Sequence, residues 1–182
     1  TGFGLSPAFP AGAGHKTIKP DEPILIDFGI CLEGYQVDLT RTFCIGRPPE
    51  PAADAYRGLE IIQQTLVERL RPGARGPDLF RAAVDRADEL GLGDHFLGAP
   101  DNRISFVGHG VGLEIAEPPL LARRPDHRLV ENQVVALELK MVLPGVGAVG
   151  LENSYRIRPG PPELLTPAAD GLIRLRPPCG LG

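Results

Sequence analysis

The sequence predicts an α+β domain built on a mixed or antiparallel sheet. Two observations lead there. Segments rich in β-branched and aromatic residues occupy both ends of the chain, at 24–31 and 35–44 and again in "VVALELKMVL" and "AVGLENSYRI". Two segments of helical periodicity lie together between them. Strands, then helices, then strands is the order of an α+β domain and not of alternating βαβ units.

Each element follows from local chemistry. Residues 1–23 carry Pro7, Pro10, Pro20 and Pro23 with several glycines and read as loop. Glu33-Gly34 separates the first two strands as a turn. After Pro48-Pro49, Leu59, Ile62, Leu66 and Leu70 recur at helical spacing, giving a helix of about five turns stopped by Pro72-Gly73. A second helix is predicted from Pro77 to Leu90, with Asp78 in its first turn, Phe80, Val84 and Leu90 as apolar positions, and Gly91 at its end. Residues 101–115 read as a Gly-rich strand or loop, and "EPPLLARRPDHR" as a proline-rich loop. Strands follow at "VVALELKMVL" and "AVGLENSYRI", then short strand-like pieces and the tail "RPPCGLG".

Composition narrows the function classes. The 182 residues suit one domain with a sizeable core. A formal charge of −4 and scattered Arg and Lys provide no basic stripe, so no nucleic-acid partner is expected. No apolar run approaches the roughly 20 residues of a spanning helix, and no charged-then-apolar leader opens the chain, so no membrane is expected either. Three cysteines, Cys31, Cys44 and Cys179, argue against a disulfide framework and for a reducing, cytoplasmic compartment. Cys31 and Cys44 read as small core residues. A start at Thr1 in loop-like sequence, with Met141 the one methionine, suggests a piece of a longer protein.

Two short motifs carry no function. "DFG" at 27–29 matches the magnesium-binding triplet of protein kinases, but neither an HRD catalytic loop nor a Lys-bearing strand accompanies it. "GVGAVG" at 145–150 fits a dinucleotide pattern, yet strand-like "LENSYRI" follows where a helix is required. Those glycines read as a hairpin turn.

The acidic residues are the informative ones. Asp27 and Asp38 lie in apolar strands and are centred between Leu32 and Glu33, so a hairpin brings them close, about 5 Å apart if directly opposite. Glu138 and Glu152 are likewise centred on Gly145. Like charges across a sheet destabilise it, and the remedies are protonation, a basic partner or a bound metal. Arg41 and Lys140 are the nearby basic candidates, and Lys140 shares the strand parity of Glu138. Metal fits better, because two divalent cations cancel four carboxylates. His109, between glycines in "GHGVG", supplies a nitrogen ligand, whereas His15, His95 and His127 read as ordinary side chains. Such a mostly hard-oxygen set favours Mn, Co or Fe over a thiolate-rich structural zinc site.

"DFGICLEGYQVDLTRTF", "GHGVGLEIAEPP" and "VVALELKMVLPGVGAVGLENSYRI" together resemble the pita-bread metallopeptidases: methionine aminopeptidases, Xaa-Pro aminopeptidases and prolidases. The resemblance covers roughly residues 5 to 160 and is nearest the Xaa-Pro branch in "GYQVDLTRT". It implies a curved sheet flanked by helices, within a catalytic domain over 1–182 that lacks its opening helices and any N-terminal domain. It also implies metal ligands at Asp27, Asp38, His109, Glu138 and Glu152, with Asp38 and Glu152 bridging two divalent ions, Mn or Co first and Fe or Zn next. The implied activity is hydrolysis of an N-terminal peptide bond in a short peptide by a metal-bridging water, with Glu138 as proton shuttle. A homodimer is the open oligomeric option.

Three departures stand out. Ala116 occupies the position, seven after His109, of a substrate-contacting histidine in the family. "FPAGAG" lacks the histidine usual before the first strand. Leu139-Lys140 follows Glu138 where Pro-Gly is usual. These motivate a second expectation, a fold-retaining metal-binding or scaffold protein with little peptidase activity. A creatinase-like C–N hydrolase ranks last, since that enzyme works without metal and keeps the substrate histidines.

Overall fold

The computed structural model describes residues 16–99, 102–169 and 171–176. Strands β1 (Pro23–Leu32) and β2 (Tyr35–Ile45) form the first hairpin. Its turn is Glu33-Gly34, with φ of 52° and 89°. Positive φ at both central residues is the type I′ geometry that suits the twist of paired strands.

Helix α1 (Glu50–Val67) then buries Ala52, Ala55, Tyr56, Leu59, Ile62 and Leu66 along one face. It ends before Pro72-Gly73; Leu70 lies in the following turn and is buried there all the same. Helix α2 (Gly76–Glu89) packs on the same core through small residues as well as the predicted apolar ones. Leu79, Ala83 and Ala87 are buried at four-residue spacing, and Phe80, Val84 and Leu90 are only partly covered. The alanines let α2 approach closely, which a search for large apolar residues passes over.

Two short strands, β3 (Gly98–Ala99) and β4 (Asn102–Arg103), pair with each other. Strand β5 (Phe106–Gly110) is followed by β6 (Glu117–Ala122), in the segment predicted as a proline-rich loop. β6 is an edge strand, where Pro118 and Pro119 leave no ladder hydrogen bond unmade on an inner strand. Strands β7 (Val134–Leu143) and β8 (Gly147–Arg156) form the second long hairpin, turned by Gly145 and Gly147 at φ of 74° and 139°. Gly145 and Gly147 of "GVGAVG" are thus turn glycines, and Gly150 lies within β8. Short strands β9 (Glu163–Leu164) and β10 (Ile173–Leu175) complete the described elements.

The large sheet runs β1-β2-β8-β7-β5-β6, with β9 beside β8 and β10 beside β2. The β10–β2 pair is parallel and the others are antiparallel, so the sheet is mixed. Both helices pack on one face, where Leu59, Ile62 and Leu66 meet Leu137, Leu139, Met141, Val149 and Leu151 in one core. Strand alternation sends Ala136, Glu138 and Lys140 to the other face. That division puts the candidate site residues opposite the core.

β1 is an edge strand, and its residues from Ile26 to Leu32 are exposed. Cys31 therefore faces solvent and is not a core residue, whereas Cys44 is fully buried; both are free thiols. Cys179, His15, the "FPAGAG" stretch and most of the tail lie outside the described residues. Among the described residues no helix is long and apolar enough to cross a membrane.

Candidate metal centre

Two rows of side chains cross the helix-free face. One runs Asp27–Thr40–Glu152–Glu138, each residue the ladder partner of the next over β1, β2, β8 and β7. In the adjacent row Asp38 pairs with Gly29, Ser154 donates its hydroxyl to the Asp38 carbonyl at 2.9 Å, and Ala136 joins Ser154 to His109. Glu138 and Glu152 are direct partners, as their centring on Gly145 predicts. Asp27 and Asp38 are diagonal neighbours instead. The two-residue turn sits one residue later than their midpoint, which shifts the register by two and keeps both on one face.

His109 Nε2 lies 3.9 Å from Asp38 Oδ2, 3.6 Å from Glu138 Oε2 and 3.8 Å from Glu152 Oε1. Its Nδ1–H donates to the Gly110 carbonyl at 3.0 Å, which leaves Nε2 as a lone-pair donor aimed at the acids. The flanking glycines are required by close approach. A Cβ on Gly108 would come within 2.2 Å of the Ala136 carbonyl oxygen, and one on Gly110 within 2.5 Å of the Pro118 oxygen.

Burial and mutual repulsion act on these acids in the same direction. Glu152 is held well above the usual carboxylate range, by burial first and then by the charges of Glu138, Asp38 and Asp27. Asp38 is raised to about 6, by burial and then Asp27. Asp27 stands at the exposed rim, and partial desolvation followed by the Glu138 charge raises it too. Glu138 goes the other way. Burial opposes its ionisation, but His109 and Lys140 outweigh that and hold it at about 2. Burial likewise works against the His109 cation, and Glu138 and the Gly110 carbonyl overcome it to raise the imidazole pKa. The cluster is short of positive charge.

A divalent cation fits this arrangement. Asp38, His109 and Glu152 each offer a donor atom within 4.8 Å of the others, so small side-chain shifts would bring all three to the roughly 2.0–2.2 Å of a bound ion. Glu152 Oε2 accepts from Thr40 Oγ1 at 2.8 Å, while its buried Oε1 has no hydrogen-bond partner. A buried carboxylate oxygen without a donor is costly, and a cation removes that cost.

Of the two basic candidates, Lys140 belongs to the cluster and Arg41 does not. Lys140 Nζ lies 2.6 Å from Glu138 Oε1. Arg41 points to the other face, donating to the Thr40 and Glu152 carbonyls at 2.9 and 2.7 Å and to Asn153 Oδ1 at 2.7 Å. Asn153 in turn donates to Gln63 Oε1 on α1 at 3.0 Å. This clamp ties β2 to β8 directly beneath Thr40 and Glu152. Sequence reasoning missed both the clamp and Thr40; the parity of Thr40 with Asp38 was the available signal. His127 is ordinary, its Nδ1 accepting from the Leu120 N–H at 2.8 Å, and His95 stands outside the cluster. Ala116 is exposed in the turn between β5 and β6.

A mixed sheet covered by helices on one face, with a carboxylate–imidazole cluster on the other, is a candidate sheet-borne cation centre. The family model for Metallopeptidase family M24 matches residues 1–159, and the chain belongs to that family. Its fold is the pita-bread fold. A Xaa-Pro dipeptidase of Pyrococcus furiosus is 32% identical over 160 residues, covering 87% of this chain and 44% of that protein. An X-Pro aminopeptidase structure from Thermotoga maritima superposes with a TM-score of 0.83 at 28% identity, over 93% of this chain and 46% of that one. The prolidase of Pyrococcus furiosus gives a TM-score of 0.80 at 32% identity, over 90% and 47%. The chain spans about half the length of the relatives it matches.

Proposed function

We propose that this chain forms the metal-binding part of a divalent-metal-dependent peptidase that hydrolyses the N-terminal bond of short Xaa-Pro peptides. The convergence of His109 Nε2 with Asp38, Glu138 and Glu152, around a partnerless Glu152 oxygen, carries the reading. The relatives named Xaa-Pro dipeptidase support the substrate class. Asp38, His109 and Glu152 would hold one ion, with Asp27 and Glu138 as further donors, so the set would provide for up to two ions. Hard oxygen donors with one imidazole favour Mn or Co.

The chemistry a divalent cation supplies at such a site is Lewis acidity, toward a carbonyl oxygen and toward water. The chain's residues do the rest. Thr40 fixes the orientation of Glu152 through one oxygen and leaves the other for the ion. The Gly110 carbonyl fixes the tautomer and ring direction of His109. Glu138, ionised beside the imidazole, is the group placed to accept a proton from an attacking water. Asp38, His109 and Glu152 stand buried on the helix-free face of the sheet, with Asp27 at its exposed rim.

Ala116 favours a second reading. An exposed alanine has no proton to give, so the leaving amine and the oxyanion lack a donor from that position. In this reading the protein binds metal and does not cut peptides. One experiment separates the two: full-length protein, stripped with chelator and reloaded with Mn or Co, is assayed on Xaa-Pro dipeptides, Xaa-Pro-Yaa tripeptides and Met-Ala. Metal-dependent release of the N-terminal residue from the proline peptides is expected. Metal uptake with no cleavage supports the second reading, and cleavage indifferent to chelator refutes the first.

A further inference from the structure

Lys140 is unusual in its setting. It leaves β7 two residues beyond Glu138 on the same face, is 8% exposed, and places Nζ 2.6 Å from Glu138 Oε1. Its cross-strand partner is Gly150, so no side chain on β8 stands beside it. A Cβ at Gly150 would come within 2.7 Å of Leu25 Cδ1 and 3.1 Å of Thr40 Cγ2, which shows how closely the neighbouring strands wall this position. A buried ammonium is costly to strand without an anionic partner, so Lys140 is committed to the acidic cluster.

We propose that the Lys140 ammonium is a built-in cation of the centre, standing in for the second metal ion, so that the site holds one divalent ion tightly on Asp38, His109 and Glu152. The proposal rests on the metallopeptidase reading above. Charge and donor geometry both lead to it. Asp27, Asp38, Glu138 and Glu152 with Lys140 carry three net negative charges. One divalent ion leaves one, whereas two make the buried centre net positive. The donors that close to within 4.8 Å of one another are Asp38, His109 and Glu152 alone among the described residues, and one oxygen of Glu138 is already engaged by Lys140. A second ion is left with Asp27 at the rim and shared oxygens, in the field of a fixed ammonium.

Isothermal titration of Mn²⁺ into metal-free full-length protein, with metal content measured after gel filtration, tests this on the wild type, Lys140→Met and Lys140→Arg. The wild type is expected to take one tight ion per chain, with any second step about 10- to 100-fold weaker, the usual range for altered ligand surroundings. Lys140→Met is expected to gain a second tight ion, and Lys140→Arg to keep the wild-type pattern. Two ions of comparable affinity in the wild type overturn the proposal, as does a folded Lys140→Met protein that still takes one. If Lys140→Met does not fold, the wild-type stoichiometry and Lys140→Arg decide. Absence of Mn²⁺ binding to every protein overturns the metallopeptidase reading itself, an outcome distinct from two tight ions.

Discussion

Asp38→Asn is expected to stabilise the metal-free protein while removing a ligand of the proposed cation site. In the folded chain the Asp38 carboxyl is raised from 3.8 to about 6, through burial and the neighbouring Asp27 charge. The folded state therefore holds that proton more tightly than the unfolded state does. Stability from this group is fully present below pH 4, falls as pH rises, and is lost above about pH 6. Raising the carboxyl from 3.8 to about 6 makes the loss about 3 kcal/mol, at about 1.36 kcal/mol per tenfold change in proton affinity. Asparagine keeps an oxygen for the Leu39 N–H, which Asp38 Oδ1 accepts at 3.1 Å, and carries no charge. Urea unfolding of both proteins in chelator should show the variant more stable by about 3 kcal/mol at pH 8, with the gap closing toward pH 4. Taking the difference between the two proteins cancels the titration of groups remote from Asp38. A variant no more stable at pH 8, or a gap that does not shrink on acidification, refutes the claim that the cluster is short of positive charge. With Mn²⁺ present the order should reverse, because only the wild type is stabilised by binding.

Other perturbations follow from the same geometry. Gly108→Ala places a Cβ 2.2 Å from the Ala136 carbonyl, so β5 must move from β7 by about 1 Å; a loss of about 1–3 kcal/mol by denaturation and a weaker Mn²⁺ affinity are expected. Thr40→Val removes the donor to Glu152 Oε2 and should weaken Mn²⁺ binding about 10- to 100-fold by titration, with little change in melting temperature. Arg41→Met strips donors from two buried carbonyls and from Asn153, and should cost about 3 kcal/mol in urea unfolding. Ala116→His puts an imidazole into the turn between β5 and β6 and should raise cleavage of Xaa-Pro dipeptides about 100-fold if proton donation from that position limits the rate.

Much of the site was legible because strand parity and turn residues are local facts. Gly145 marks the second turn unambiguously, and the Glu138–Glu152 pairing follows by counting. The first hairpin was less legible. Glu33-Gly34 was identified as the turn, but pairing registers on a turn's centre, and Asp27 and Asp38 straddle a point one residue earlier. Position within the sheet was not legible at all. Nothing local to β1 says that it is an edge strand, so the exposure of Cys31 and Asp27 is a tertiary property. Strand β6 was hidden by Pro118 and Pro119, which read as loop until an edge position makes them tolerable. The Arg41–Asn153–Gln63 clamp joins residues 41, 153 and 63, a contact no spacing rule anticipates. Lys140 lay between these cases. Parity placed it beside Glu138, and only the structure brings Nζ to 2.6 Å.

The most direct test of the account is a crystal of the full-length protein grown with Mn²⁺ and measured at the manganese absorption edge. The account predicts an anomalous peak within about 2.0–2.3 Å of His109 Nε2, an Asp38 oxygen and Glu152 Oε1. A saturated crystal with no peak between those atoms, or with manganese bound only elsewhere, contradicts it.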